Sequence, residues 1–451
     1  MVSTIDRTET RPVTAEVTAH DLPVDGHLPP ELEGTYLRTG PNPLRDDSHW
    51  FLAEGMVHGV HLAGGRAAWY RNRWVRSPSV CEHLGEEPVP TPGPSLFPGS
   101  GNVSVVVHAG RIWAMNEPSW PYELSPELDT IRQHDFGGPL PFGLGAHPRI
   151  DPVTGEMLVL SYFPVDPMVT LHHVDADGVL VRSDPVDVGG PVMVHDLAVT
   201  ASRAVVLDLP VVFDAAHLPT GFPYRWDPTY TPRVGLVSRH DGSTTWVPAP
   251  RCFVFHVLGA WDDGDAVVVD VVRYDAMFES PGDLPGVRPG RLARWIVDPR
   301  RGVTEEHLLC PDVVEFPRID ERWTGARHEI GWMVGFSESS DMPDTILAVR
   351  PDDGAIDRWR TPAGRSTSEV VLAPDRTGAQ GAGWLLGFEF DPATGRSDLL
   401  VLDALDVARG PVARVHLPTR VPAGFHGTWV PAERDGRPST LDARRSEEGA
   451  R

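Results

Sequence analysis

Four of the chain's nineteen histidines differ from the rest in their flanking residues. Each stands at the end of an apolar or glycine-bounded stretch: Ala146-His147-Pro148, Met193-Val194-His195-Asp196, Phe253-Val254-Phe255-His256 and Gly424-Phe425-His426-Gly427. Neutral imidazole nitrogens are common ligands of divalent transition metals. His147, His195, His256 and His426 are therefore candidate ligands for one ion, provided that the fold brings these distant positions together.

The other histidines have simpler interpretations. Adjacent His172 and His173 would point to opposite faces of a strand, so they cannot both bind one ion from a regular sheet. A further group lies among polar or loop residues, where solvated side chains are expected: His20, His27, His49, His83, His134, His217, His240 and His307. For the four candidates as well, a buried and hydrogen-bonded structural role is the common alternative to metal binding.

The elements that must position these side chains are predicted to be strands. Short apolar or alternating runs recur through the chain: Val103 to Val107, Met157 to Tyr162, Ala266 to Val272, Trp384 to Phe390 and Asp398 to Leu402. Turn signals such as Asp151-Pro-Val-Thr-Gly155 separate them. Helical periodicity is almost absent, and the short segments Ser125 to Gln133 and Gly282 to Leu284 are expected in loops. The pattern predicts an all-β protein built from hairpins.

A closed or radial arrangement is favoured, because one open sheet with so many strands would expose long edges. The spacing of the turn signals suits a β-propeller of six to eight blades, in which the innermost strands of different blades converge on one axis. No linker composition marks a boundary, so residues 1–435 are expected to form one domain. Residues 436–451, rich in Arg, Ser, Glu and Gly, are expected to be a disordered tail.

Composition excludes several classes of function. The net charge of −23 would repel nucleic-acid phosphates. The first twenty residues lack the basic and apolar pattern of a secretion signal, and no long apolar run is present, so a cytoplasmic location is expected. Cys81, Cys252 and Cys310 show no CxxC spacing and are expected to be buried apolar residues instead of thiolate ligands.

Six motifs resemble those of the carotenoid cleavage oxygenase family, which also contains stilbene-cleaving dioxygenases and the retinal isomerohydrolase. They follow one another in the family's order: Gly34-Thr-Tyr-Leu-Arg-Thr-Gly-Pro-Asn-Pro43, Gly55-Met-Val-His-Gly59, Ala146-His-Pro-Arg-Ile-Asp-Pro-Val-Thr-Gly-Glu156, Met193-Val-His-Asp196, Glu315-Phe-Pro-Arg318 and Gly424-Phe-His-Gly-Thr-Trp429. The resemblance covers nearly the whole chain.

The resemblance implies a seven-bladed β-propeller with a cap of loops and short helices over an axial metal site. It implies one Fe(2+) per chain, held by the positions that match His147, His195, His256 and His426. Four imidazoles around an octahedral Fe(II) would leave two positions for the cosubstrate O₂ or for water. The implied reaction is oxidative cleavage of a conjugated C=C bond to two carbonyl products, either aldehydes or ketones.

The family also places three glutamates against the other ring nitrogen of three ligands, which orients those rings. The matching positions are Glu117, Glu315 and Glu369. An apolar alkene substrate would lie in a tunnel, for which the candidate lining residues are aromatic: Trp120, Phe142, Phe163, Phe213 and Trp429. For each of these aromatic residues, the alternative to lining a tunnel is packing in the propeller core.

The substrate class depends on the residue before Glu117. Stilbene-cleaving members of the family typically carry a lysine there, whereas this chain has Asn116, which cannot make a charge-assisted bond to a phenolate. A carotenoid or apocarotenoid is therefore predicted, with a stilbene or phenylpropanoid alkene as the alternative. Since carotenoids reside in membranes, transient contact with a membrane surface is expected, with Leu209 to Phe222 as a candidate apolar patch.

Two other classes of function remain as alternatives. A metal-free propeller that serves as a binding platform would use the four histidines structurally, and the iron content of the purified protein separates it from an oxygenase. A calcium-dependent propeller hydrolase would need Asp, Asn and carbonyl oxygens around the ion, whereas the candidate ligands are nitrogens. The bond that is cleaved, the number of oxygen atoms incorporated and the oligomeric state are left open.

Overall fold

The computed structural model describes residues 10–44, 50–94, 97–220, 222–280, 289–338 and 340–432, and most of its regular structure is antiparallel strand. The first strands are β1 (Thr18–His20), β2 (Val24–Gly26), β3 (Gly34–Pro41), β4 (Gly55–Ala63), β5 (Arg66–Trp74), β6 (Ser104–His108), β7 (Arg111–Met115), β8 (Tyr122–Leu124) and β9 (Thr130–Gln133). Helices in the described residues are short: α1 (Pro78–Leu84) and the 3-10 turns Trp50–Leu52, Ala215–Thr220, Glu321–Trp323 and Val407–Arg409.

The middle of the chain contributes eighteen further strands in the same hairpin pattern. They are β10 (Arg149–Ile150), β11 (Met157–Tyr162), β12 (Val169–Val174), β13 (Leu180–Val186), β14 (Ala198–Val199), β15 (Arg203–Asp208), β16 (Val211–Phe213), β17 (Tyr224–Trp226), β18 (Arg233–Ser238), β19 (Thr244–Pro248), β20 (Phe253–Asp263), β21 (Ala266–Tyr274), β22 (Arg291–Asp298), β23 (Val303–Leu308), β24 (Val314–Arg318), β25 (Gly331–Gly335), β26 (Thr345–Arg350) and β27 (Ala355–Arg360). The last strands are β28 (Ser366–Thr367), β29 (Val371–Pro374), β30 (Gly383–Asp391), β31 (Arg396–Asp403), β32 (Pro411–His416) and β33 (Gly427–Pro431).

Contacts divide the described chain into two compact units. The unit formed by Leu144–Asp175 and Leu180–Arg360 contains four four-stranded sheets and a small ribbon: β10-β11-β12-β13, β14-β15-β18-β19, β20-β21-β22-β23, β24-β25-β26-β27 and β16-β17. The other unit, from the described residues of Asp6–Gly143, Ala176–Val179 and Thr361–Arg451, contains three sheets: β6-β7-β8-β9, β1-β5-β4-β3-β33 and β2-β32-β31-β30-β28, with β29 also paired to β30.

Strands from the two ends of the described chain share sheets in the second of these units. β33 pairs with β3 from Gly34 opposite Pro431 to Arg38 opposite Gly427, and β2 pairs with β32. The C-terminal strand thereby covers a sheet edge that β3 would otherwise expose. A buried cluster that includes Tyr36, Leu386 and Leu399 fills the space between these two sheets.

The chain folds as a seven-bladed β-propeller, which confirms the predicted fold class. The strand predicted over Met157 to Tyr162 has those bounds, and the other predicted strands differ by at most two residues at either end. Cys81, Cys252 and Cys310 are buried, as expected. No helix in the described ranges is long and apolar enough to span a membrane.

One local prediction was wrong. The segment Ser125 to Gln133 was expected to be a loop, but it ends in strand β9, which pairs with β8 after a turn in which Leu128 has a positive φ of 71°. The expected loop Gly282 to Leu284 and the tail 436–451 lie outside the described residues. The single domain over residues 1–435 stays a prediction.

Candidate metal centre

The four candidate histidines occupy equivalent places in four different sheets. His147 and His195 lie in irregular segments directly before β10 and β14, His256 is the fourth residue of β20, and His426 immediately precedes β33. Each of these strands is the terminal strand in the order of its sheet. The apolar flanks of the histidines thus lie at or just before the starts of edge strands, which explains their recurrent sequence setting.

Three of these rings pack against one another. The ring centroids of His147 and His195 are 4.4 Å apart, and that of His256 lies 5.1 Å from His147 and 5.2 Å from His195. His256 is buried, whereas His147 and His195 are half-buried. Rings packed this closely can direct their nitrogens at one ion, and neutral imidazole is the form that binds metals.

A buried glutamate orients His256. Nδ1 of His256 donates to Oε2 of Glu315 at 2.6 Å, and the other oxygen of Glu315 accepts the hydroxyl of Tyr274 at 2.7 Å. The backbone N–H of Phe316 also donates to Glu315. Burial alone would raise the pKa of Glu315, but His256 and these hydrogen bonds hold that pKa below its ordinary value. A metal ion would therefore be bound by Nε2 of His256.

His426 has an equivalent partner on another sheet. Its Nδ1 donates to Oε1 of Glu369 at 2.8 Å, and Oε2 of Glu369 accepts the N–H of Gly427 at 2.8 Å. The glycines on both sides of His426 allow a close approach to β3. A Cβ on Gly424 would lie 2.9 Å from the Cα of Gly40, and one on Gly427 would lie 2.5 Å from the carbonyl oxygen of Leu37.

The four histidines form a cluster that could bind a metal ion. Each offers one ring nitrogen, and these nitrogens lie within 4.8 Å of one another. Donors bind an ion at about 2 Å, so donors on opposite sides of it are about 4 Å apart and the cluster is close to the size required. Imidazole nitrogens suit iron, zinc, copper and nickel, whereas calcium takes oxygen ligands. The donor set fits Fe(II) and argues against a calcium site.

The remaining predicted site residues have varied surroundings. Glu117 is half-buried between β7 and β8, and its role beside a ligand stays a prediction. Nε1 of Trp120 donates to the carbonyl of Leu140 at 2.8 Å, and Trp429 packs against the buried cluster around Tyr36. Phe142 and Phe163 are half-buried, and their place in a tunnel stays a prediction.

The other histidines are mostly as expected. His172 hydrogen-bonds two serines, whereas His173 bonds acidic and arginine side chains, so the neighbours on β12 have separate partners. Five of those expected to be solvated are exposed: His20, His27, His83, His240 and His307. His134 and His217 are half-buried instead, and the ring of His134 packs on Trp113. His49 lies outside the described residues.

A connected set of aromatic rings begins at the histidine cluster. Phe255 contacts His195 with ring centroids 5.5 Å apart. Successive ring contacts, with centroids 4.8 to 5.9 Å apart, then run through Phe255, Phe278, Phe222, Tyr224 and Phe213. Of these, only Phe213 was predicted from the sequence. Phe255 directly precedes a candidate ligand in an apolar run, and that position was the available signal.

Comparisons with known proteins agree with this fold and site. The model of the family described as retinal pigment epithelial membrane protein matches residues 10–431. A carotenoid cleavage oxygenase from Mycobacterium tuberculosis is 35% identical over 93% of this chain and 96% of its own length. The solved structure of Pseudomonas brassicacearum lignostilbene dioxygenase has a TM-score of 0.85 at 25% identity and covers 93% of this chain and 97% of its own. A variant of Synechocystis apocarotenoid oxygenase also has a TM-score of 0.85 at 25% identity, over 94% of this chain and 98% of its own.

Together with these relatives, the propeller and the histidine cluster identify an oxygenase of the carbon–carbon double-bond-cleaving type. The chain belongs to the carotenoid cleavage oxygenase family, as the motifs of its sequence predicted. It is an enzyme of the carotenoid cleavage dioxygenase type.

Proposed function

We propose that this enzyme uses one Fe(II), bound by His147, His195, His256 and His426, to cleave a conjugated C=C bond of a carotenoid or apocarotenoid into two carbonyl products. The observation that carries the proposal is the group of four ring nitrogens within 4.8 Å of one another. Fe(II) bound there would supply the activation of O₂.

The protein's own part in this reaction is to hold the metal ligands in place and to shield the metal site. The buried glutamates Glu315 and Glu369 accept the Nδ1 hydrogens of His256 and His426, so the tautomer and the direction of both rings are set before a metal arrives. Glu117 is proposed to act in the same way. Among the described residues the cluster contains only histidine donors, and these outer glutamates would place negative charge beside the rings that bind the metal.

An apolar substrate fits the surroundings of the cluster. The rings from Phe255 to Phe213 form a continuous aromatic surface that starts at His195 and could pack against a polyene. Trp120, Phe142, Phe163 and Trp429 remain proposed as further parts of the tunnel. Substrate position would then depend on ring packing along its length and not on a charged anchor.

Asn116 favours the polyene over the stilbene. Its side-chain oxygen accepts the backbone N–H groups of Ser100 at 2.7 Å and Gly101 at 2.9 Å, together with the hydroxyl of Ser119. Asn116 therefore holds a neighbouring loop, and it has no positive charge with which to stabilise a phenolate. This is the position where a stilbene-cleaving enzyme of the family would be expected to carry a lysine.

Transient membrane contact is proposed with a smaller patch than the sequence indicated. Leu209, Val211 and Val212 of the candidate segment are buried in the structure and cannot form that patch, because β16 packs into the fold. Leu218, on the 3-10 turn Ala215–Thr220, is 55% exposed. The side chains of Pro219 and Thr220, and Gly221, lie outside the described residues.

The metal is tested by analysis of purified protein. We expect about one iron per chain after reconstitution with Fe(II), because four imidazoles suit this borderline divalent ion. A protein that takes up no metal would contradict the proposed site and favour the metal-free binding platform.

The substrate is tested with a β-apocarotenal and a 4-hydroxystilbene under the same detergent conditions, with products identified by mass spectrometry. We expect cleavage of the apocarotenal, and none in a His256→Ala control. A kcat/KM for the stilbene about 100-fold above that for the polyene, which is about 2.7 kcal/mol in transition-state binding, would overturn the substrate assignment and leave the iron site intact.

A further inference from the structure

A single Arg–Asp pair joins the segments that follow three of the proposed ligands. Arg149 lies two residues beyond His147, and Asp196 directly follows His195. Their side chains meet at 2.5 Å, between a terminal guanidinium nitrogen and Oδ2, and the Asp196 side chain is only 1% exposed. This contact connects the segment that carries one ligand to the segment that carries the next.

The same pair holds the backbone after the third ligand. Val257 directly follows His256, and its N–H donates to Oδ2 of Asp196 at 2.8 Å, while its carbonyl accepts from Arg149 at 3.0 Å. The register between β20 and β21 shifts on both sides of Val257. Because β20 is the terminal strand of its sheet, these two side chains supply hydrogen-bond partners for both backbone groups of Val257 without a neighbouring strand.

Leu197 is held in the same two-sided way. Its N–H donates to Oδ1 of Asp196 at 2.7 Å, and its carbonyl accepts from Nε of Arg149 at 3.0 Å. Both oxygens of Asp196 and two nitrogens of Arg149 are thus committed to backbone groups beside ligands. A planar guanidinium and a carboxylate have the fixed geometry that such a fourfold arrangement requires.

We propose that Arg149 and Asp196 are positioning residues, which set the mutual spacing of His147, His195 and His256 and so tune the affinity of the metal site. The inference rests on the proposed metal centre, because it assigns a purpose to contacts around that centre. The pair does not bind the metal itself; it acts through the backbone on which the ligands are carried.

The test is the affinity of the apoprotein for Co(II), measured by calorimetric titration, with the Co(II) absorption spectrum as a second readout. Asp196→Asn replaces one carboxylate oxygen by an NH2 group that only donates, so the side chain can no longer accept from Leu197 on one atom and from Val257 and Arg149 on the other. We expect it to weaken Co(II) binding by about 10- to 100-fold, as loss of outer contacts to metal ligands does elsewhere, and to alter the spectrum.

Asp208→Asn is the matched control. Asp208 is fully buried and pairs with Arg233 at 2.7 Å, but its other partners, Tyr230 and Gly189, do not flank a ligand. Both variants lose one buried carboxylate, so both should lose stability to urea. Only Asp196→Asn should lose Co(II) affinity and change the spectrum.

The outcomes separate the two proposals. A wild-type chain that binds no Co(II) would overturn both the metal centre and the proposed positioning role of Arg149 and Asp196, here called the clamp. Wild-type affinity in Asp196→Asn, or equal losses in both variants, would overturn the clamp and leave the metal centre standing. If either variant does not fold, Arg149→Lys is compared with Arg233→Lys, since lysine keeps the charge but cannot reach several acceptors at once. Equal Co(II) affinities in that pair would likewise overturn the clamp.

Discussion

Two buried histidine–carboxylate pairs lie in the same unit, and one of them belongs to the histidine cluster. Glu315 and Asp270 each accept a hydrogen bond from a buried imidazole, at 2.6 Å from His256 and at 2.8 Å from His328. Strand β21 contributes to both, since it carries Asp270 and, four residues later, Tyr274, which bonds Glu315. The two pairs differ in what surrounds the carboxylate.

Asp270 is neutralised by an arginine, whereas Glu315 is not. Arg294 makes two hydrogen bonds of 2.8 Å to Asp270, one to each oxygen, so the carboxylate beside His328 has a cationic partner. In the described part of the chain, Glu315 bonds only the imidazole, a tyrosine hydroxyl and a backbone N–H. A buried carboxylate that lacks a cationic partner suits a site where a metal supplies positive charge through the ring.

The largest effect is expected from substitution of the two histidines, His256 and His328. His256→Ala should abolish stoichiometric metal binding and turnover, because it removes a ligand nitrogen. His328→Gln should lower stability but keep about one metal per chain. Metal analysis of both purified proteins after Fe(II) reconstitution makes the comparison. Full metal content in His256→Ala would remove this histidine from the site.

Substitutions of the two carboxylates should have different effects. Glu315→Gln should weaken Fe(II) or Co(II) affinity by about 10- to 100-fold, since the amide no longer fixes the ring of His256. Asp270→Asn should leave metal affinity unchanged and lower the free energy of unfolding by about 3 kcal/mol, because Arg294 would lose an ionised partner and keep, among the described residues, only its 3.4 Å ion pair with Asp352. Metal titration and urea denaturation of both variants are the measurements. Reversed effects would mean that the two pairs are misassigned.

Tyr274→Phe should give a smaller change. It removes the hydroxyl donor to Glu315, and loss of a hydrogen bond to a charged group costs about 1.5–3 kcal/mol of unfolding free energy. Tyr122→Phe is a matched control, because that buried hydroxyl donates at 2.7 Å to the neutral carbonyl of Pro98. The control should lose about 1 kcal/mol. Identical urea midpoints for the two variants would argue against an ionised Glu315.

The smallest expected effect belongs to a solvent-facing pair of the other unit. His416 lies between Asp398 and Asp25 with Arg414 nearby; partial burial opposes protonation, yet the two carboxylates raise its pKa above 6.5. A raised pKa means that this stabilisation is complete below pH 6.5 and is lost as the pH rises through the folded-state value. His416→Gln should remove a pH-dependent contribution below about 1 kcal/mol, measured by urea denaturation at pH 6 and pH 9. If the stability of His416→Gln depends on pH in the same way as that of the wild type, this prediction is contradicted.

Much of the fold and part of the site were predictable from local patterns. Strand period and turn residues act over a few positions, so runs such as Met157 to Tyr162 indicated their structure directly. The segment Ser125 to Gln133 was misjudged, since the pairing of its strand β9 with β8 depends on a partner strand and not on its own periodicity. The apolar patch Leu209 to Phe222 was misjudged for a similar reason. Its sequence does not distinguish apolar residues that are exposed from those, such as Leu209 and Val211, that are buried.

By itself, the sequence determined the strand-rich architecture, the apolar flanks of the four histidines and the family motifs that single them out. Only the tertiary structure decided which acid meets which ring, since Glu315 and His256, or Glu369 and His426, come from different strands whose distance depends on sheet packing. It also brought Tyr274 to Glu315 and Arg149 to Asp196. Hydrogen bonds are specific in distance and direction, and side chains far apart in sequence acquire both only when the chain has folded.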